Sequence, residues 1–120
     1  MGAIKVQDLR VWHKALELTV EVYRVRRKLP PTENSGWIRQ MRRAAVSIPG
    51  RVSEGFIRAG PKDKARFYNI GRASAEELRT SLILVGKLGY TASPATLFEL
   101  LDQVCAMLHR LWEAVHSAQS

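Results

Sequence analysis

The sequence predicts an all-α protein, an antiparallel up-down-up-down four-helix bundle with a kinked second helix. Three observations lead there. Four segments carry apolar residues at spacings of three and four, three short breaks marked by Pro, Gly or Ser separate them, and no stretch alternates in the manner of a strand. Long helices joined by connections this short fold back as neighbours. With 120 residues the chain is long enough for one core and too short for two, so residues 1–120 read as a single domain with helices at about 8–28, 33–58, 61–88 and 94–117.

The first helix, 8–28, carries Leu9, Trp12, Leu16, Val20 and Tyr23 along one stripe and Val11, Ala15, Leu18, Val22 and Val25 beside it. So wide an apolar face predicts burial on two sides. Asp8 is the expected N-cap, because a carboxylate can accept from a first-turn amide and favours the positive end of the helix dipole. Pro30 and Pro31 end the helix.

Thr32 is the expected cap of the second helix, 33–58, whose apolar positions are Trp37, Met41, Ala44, Ile48, Val52 and Phe56. Pro49 falls in its middle. A proline there removes one backbone hydrogen bond and crowds the preceding turn, which predicts a kink between Ala45 and Pro49. The alternative is two helices broken at Pro49 and Gly50. The unbroken phase of the apolar positions favours one helix.

Gly60 and Pro61 open the third helix, 61–88, and Gly89 closes it. Phe67, Ile70, Leu78, Leu82 and Val85 form its stripe, yet Ser74, Glu77 and Ser81 share the same phase, so the buried face is partly polar. Ser93 and Pro94 start the fourth helix, 94–117, with Leu97, Leu101, Val104, Leu108, Leu111 and Val115 as its seam and fraying expected near Ser117.

Composition narrows the function. The net charge is +8, and residues 1–75 hold 16 Lys/Arg against 6 Asp/Glu whereas residues 76–120 hold 3 against 5. A basic first part points to an anionic partner, nucleic acid ahead of membrane. The longest charge-free stretch, Leu88 to Phe98, contains Pro94 and is far shorter than the ~20 apolar residues of a membrane span. Met1 to Arg10 has no apolar run of signal-peptide length, so a cytoplasmic location is expected. Cys105 is the single cysteine, which excludes an intrachain disulfide, and its place between Leu101 and Leu108 assigns it to the core.

Chemistry has few candidates. His109 and His116 stand two turns apart, too far for an adjacent-turn ligand pair, and His13 is on another helix, so no metal and no cofactor are expected. No nucleophile, base and acid arrangement or glycine-rich phosphate loop is present. Glu54 with Glu77 is the one carboxylate pair to consider, and pairing with arginine is its more economical reading. The chain is therefore read as a non-enzyme.

Gln40, Arg43, Ser47, Arg51 and Glu54 fall at spacings of three and four, a polar line beside the apolar face of the second helix. If it faces another helix, Arg43 and Glu54 need partners, and Ser74 and Glu77 on the third helix are the expected ones. Such a network would set helix register within the chain or a contact between subunits; a solvated stripe is the third reading. The remaining basic residues occur in groups: Arg24, Arg26, Arg27 and Lys28; Arg39 and Arg42; Arg58, Lys62, Lys64 and Arg66. With Arg51 they are the candidate nucleic-acid-binding residues. Trp37 and Tyr68 lie near them and are assigned to the core rather than to base stacking.

The run Gln40, Met41, Arg42, Arg43, Ala44, Ala45, Val46, Ser47, Ile48, Pro49, followed by Glu54 and Gly55, together with Asp8, Leu9, Trp12, Phe67, Ser74, Glu77 and Leu78, resembles one family. It is the four-helix-bundle family named for proteins encoded in intervening sequences of bacterial 23S ribosomal RNA genes. The similarity covers nearly the whole chain, from about Val6 to about Glu113. Gly50, Arg51, Ser53 and Ala73 depart from the family pattern. The resemblance implies a left-handed bundle that assembles into a ring-like homopentamer, without a known enzymatic activity. The function expected from charge and resemblance together is non-catalytic binding of structured RNA or other nucleic acid by an oligomer. The alternative is a protein-interaction scaffold without a nucleic-acid role.

Overall fold

The structure is a computed structural model that describes residues 3–33, 36–90 and 94–117. A short 3-10 turn, Val6–Asp8, precedes four helices: α1 (Arg10–Arg27), α2 (Gly36–Ile57), α3 (Pro61–Lys87) and α4 (Ala95–Ser117). Strands are absent among the described residues. In cross-section α1 and α3 each pack against both α2 and α4. Contact pairs run in opposite directions along consecutive helices. Trp12 meets Ser53 and Thr19 meets Ala45 between α1 and α2; Gly55 faces Tyr68 and Ser47 meets Ser74 between α2 and α3; Arg72 lies over Trp112 and Arg79 reaches Asp102 between α3 and α4.

The core follows the apolar periodicity. Leu18 and Val22 from α1, Met41, Ile48 and Val52 from α2, Leu78, Leu82 and Val85 from α3, and Leu101, Val104 and Leu108 from α4 are all but sealed from solvent. Burying side chains of this size contributes about 1.5–3 kcal/mol each. Only one of the two apolar stripes of α1 is spent on it. Val11, Ala15, Leu18, Val22 and Val25 are buried, whereas Leu16, Val20 and Tyr23 stay exposed, so the expectation of burial on two sides is corrected. A single stripe is enough for a helix whose two neighbours lie on the same side of it. Trp12 is half-buried, with its indole N–H donating to Ser53 Oγ at 3.0 Å.

Helix ends depart from the sequence expectations by a few residues. Asp8 does not cap α1; its carboxylate accepts the Lys5 amide at 2.8 Å and closes the 3-10 turn, leaving Leu9 as the N-cap. Thr32 belongs to the turn after Pro30, where the Glu33 amide donates to the Pro30 carbonyl, and α2 starts at Gly36. Ser93 lies outside the described residues. Pro61 is in the first turn of α3, as its fixed φ favours. Gly89, after α3, has φ +76°, the left-handed conformation that glycine adopts without steric cost.

The side chains of α3 and α4 are joined by Arg79, which binds Asp102 at 2.8 Å and donates to Cys105 Sγ at 3.7 Å. Cys105 is half-buried rather than fully enclosed. Its burial pushes the thiol pKa up, outweighing the opposing pull of Arg79. Tyr90 donates to the Glu33 carboxylate and ties the chain beyond α3 to the α1–α2 connection.

The α2 helix runs without interruption through Pro49, which is buried. Proline has no N–H to give to the carbonyl four residues earlier, that of Ala45, and Ala45 is fully buried. A side chain from α1 supplies the missing donor. Thr19 Oγ1 lies 3.1 Å from the Ala45 carbonyl and 2.8 Å from that of Ala15. The Ala15 carbonyl already has the Thr19 amide as its helical partner, so the hydroxyl matters most to Ala45. Thr19→Val is expected to cost about 1–3 kcal/mol in urea unfolding, the penalty of an orphaned buried acceptor. In a Pro49→Ala background the new amide reaches Ala45 and the cost shrinks. Equal costs in the two backgrounds would contradict the pairing.

Candidate nucleic-acid interface

The site is built on α2. Its inward positions, Ile38, Met41, Ala45, Ile48 and Val52, enter the core, and the same helical period turns Arg39, Arg42, Arg43, Val46 and Gly50 away from it. The roll of α2 is held by its contact with α3. Gly55 lies so close to the Tyr68 ring that a Cβ there would stand 2.5 Å from Cε1. One and two turns earlier the helices are still close. The Cβ of Arg51 would be 3.6 Å from one placed on Gly71, and the Ser47 and Ser74 hydroxyls share a hydrogen bond of 2.9 Å. Tyr68 is fully buried in this contact, and burial raises its phenol pKa. Trp37 packs, half-buried, against the core.

Two grooves flank the polar line. One, of about 520 Å³, is lined by Tyr23 of α1 and by Arg39, Arg42, Arg43, Val46, Gly50 and their α2 neighbours. The other, of about 630 Å³, runs between α2 and α3 past Gln40, Arg43, Ser47, Ser74, Glu77 and Ser81. Arg43, Ser47 and Arg51 line both and form the ridge between them.

Of the network expected from sequence, Ser47 and Ser74 are brought together, with Ser74 buried. Glu54 pairs with Arg51 of its own helix at 3.1 Å and not with α3. The side chains of Gln40, Arg43 and Glu77 make no hydrogen bond or ion pair among the described residues, so the expected pairing of Arg43 with Ser74 or Glu77 is not formed. Glu54 is engaged by an arginine three residues earlier on its own helix, so it needs no partner on α3. The Nε of Arg51 is buried without a partner among the described residues.

The basic groups differ in how far their charge is already engaged. Around α3's first turn, Asp63 takes Arg66 at 3.0 Å and Arg58 at 3.6 Å, and both guanidinium groups lie 4.6 Å from the Phe67 ring centre. Lys64 serves the fold. Its ammonium donates to the Gly55 and Phe56 carbonyls at 3.2 and 2.6 Å, which caps the C-terminus of α2. Lys62 is exposed. At the other end, Arg24 pairs with Glu21 and Arg26 donates to the Glu33 carbonyl at 3.5 Å. The side chains of Arg27, Lys28, Arg39, Arg42 and Arg43 make no hydrogen bond or ion pair among the described residues.

Sequence reasoning missed Tyr23, which was expected in the core and instead stands 42% exposed at the mouth of the arginine-lined groove. The signal available was the completeness of the neighbouring stripe, which continues through Val25 to the buried Leu29 and leaves no inward place for Tyr23.

Fold and surface together define a small basic helical bundle in which five cations without a carboxylate partner among the described residues, Arg27, Lys28, Arg39, Arg42 and Arg43, lie at the end of α1 and the start of α2. Among its described residues no cluster of metal ligands occurs, and no helix is long and apolar enough to cross a membrane. The chain belongs to the family of 23S rRNA-intervening sequence proteins, whose model matches residues 7–110. No curated protein matches it.

Proposed function

We propose that this protein is a non-catalytic oligomer that binds structured RNA through the arginine-rich end of the α1–α2 pair. The observation that carries this reading is a group of five cations at this end whose side chains have no carboxylate partner among the described residues: Arg27, Lys28, Arg39, Arg42 and Arg43. Paired cations such as Arg58 and Arg66 would have to surrender Asp63 before meeting a phosphate, whereas these five would not. Each phosphate they neutralise releases condensed counterions, so the interaction is driven largely by ions returning to bulk and weakens as salt rises. Arginine also presents a planar fork that suits phosphate oxygens. Bulk contact of this kind needs no reacting group, and Glu54, held by Arg51, is engaged structurally. The family's setting within 23S ribosomal RNA genes adds support to an RNA partner.

Self-association is the second part of the reading. Leu16 and Val20 on α1, Ile83 and Leu84 on α3, and Leu88 just after α3 are large apolar side chains left exposed on the single chain. A subunit contact would cover them, and the family resemblance implies a ring-like homopentamer. Size-exclusion chromatography with light scattering should give a mass that is a multiple of 13.5 kDa. A monomer at micromolar concentration would refute the oligomer. For RNA, reversing three charges at once, Arg39→Glu, Arg42→Glu and Arg43→Glu, should weaken binding to a hairpin RNA and make the slope of log affinity against log salt shallower by about two to three. Unchanged affinity and slope would remove this surface from the account.

A further inference from the structure

The arginine-lined groove has a feature that phosphate binding alone does not use. Beside three unpaired arginines it exposes an aromatic ring and an aliphatic floor. Tyr23 and Val46 are 42% and 49% exposed, and above Gly50 no heavy atom lies within 4 Å of where a Cβ would be. A duplex hides its base faces in the stack and offers a protein only backbone and groove edges, so it would leave Tyr23 and Val46 idle. An unpaired nucleotide carries both an anionic phosphate and a flat apolar face. The groove's volume of about 520 Å³ falls in the range of sites that hold a small ligand.

Resting on the RNA-binding reading above, we infer that this groove seats an unpaired nucleotide of single-stranded or looped RNA, its base against Tyr23 and Val46 and its phosphate on Arg39, Arg42 and Arg43. Charge complementarity selects this occupant over a second copy of the same face. Two such faces would oppose three unpaired arginines with three more, and Glu54, the one carboxylate in the groove, is taken by Arg51. The combination of a cationic track with an exposed ring is the general means of holding single strands without reading their sequence. The base preference should accordingly follow stacking strength, with adenine above uracil.

The test compares an oligoadenylate of ~12 nucleotides with the duplex it forms with oligouridylate, each against the wild type, Tyr23→Ala and Tyr23→Phe. Tyr23 is exposed, so neither substitution removes core packing. The expected result is tighter binding of the single strand than of the duplex, a loss of about five- to hundredfold for Tyr23→Ala on the single strand, near-wild-type affinity for Tyr23→Phe, and little change on the duplex. If both RNAs bind with a steep salt dependence but Tyr23→Ala leaves the single strand unaffected, the nucleotide seat is wrong and the RNA-binding reading stands. If neither RNA binds, both fall. If Tyr23→Ala shifts the sedimentation of the protein while RNA affinity is kept, the groove's occupant is another copy of this chain, and the inference is overturned.

Discussion

The close approach of α2 to α3 is the constraint on which the rest of the molecule depends. It is possible only because Gly55 has no side chain where the Tyr68 ring lies and because small hydroxyls, Ser47 and Ser74, meet where larger residues would hold the helices apart. Inserting even a methyl group into such a contact forces rearrangement that typically costs about 1–3 kcal/mol. The consequence reaches the surface. With α2 fixed in roll, its apolar positions enter the core and Arg39, Arg42, Arg43 and Val46 are left pointing to solvent as one face. The arginine-lined groove is thus a by-product of a packing contact on the opposite flank of the same helix.

A second constraint operates between α1 and α2. Pro49 deprives the helix of one amide in a buried position, and the Thr19 hydroxyl restores a donor from outside the helix. The same contact fixes the height of α1 against α2, which is what sets Tyr23 beside Arg39, Arg42 and Arg43. Lys64 completes the far end of α2 by occupying the carbonyls of Gly55 and Phe56. Three features that depart from the ordinary pattern of a helix, Gly55, Pro49 and the Ser47–Ser74 pair, are therefore each accounted for by a named neighbour.

Much of the fold was legible because helix periodicity, Pro-Gly punctuation and the lack of alternation all point the same way. The four helices fall where those signals place them. Their ends were less legible, since Asp8 and Thr32 have the chemistry of caps but are drawn into turns of their own. Surface and core were confused on α1, where two apolar stripes compete and only tertiary contact decides that Val11 to Val25 wins over Leu16 to Tyr23. The basic residues were visible as a set, but charge counting cannot tell a free arginine from one held by Asp63, nor a phosphate-binding lysine from Lys64 at a helix end. Of the polar line, Ser47 and Ser74 meet across α2 and α3, whereas the partners expected on α3 for Arg43 and Glu54 are not met and Glu54 pairs with Arg51 of its own helix.

What distinguishes the α1–α2 end is that three uncommitted arginines, Arg39, Arg42 and Arg43, stand there next to exposed stacking surface. An overall positive charge by itself would serve solubility equally well. The direct measurement is the affinity of nuclease-treated protein for a hairpin RNA with an unpaired loop, at ~0.1 M and ~0.3 M salt. The account predicts submicromolar binding at the lower salt and a fall of about tenfold or more at the higher. Weak binding even at the lower salt would contradict it and leave a protein-interaction scaffold as the better reading of the same bundle.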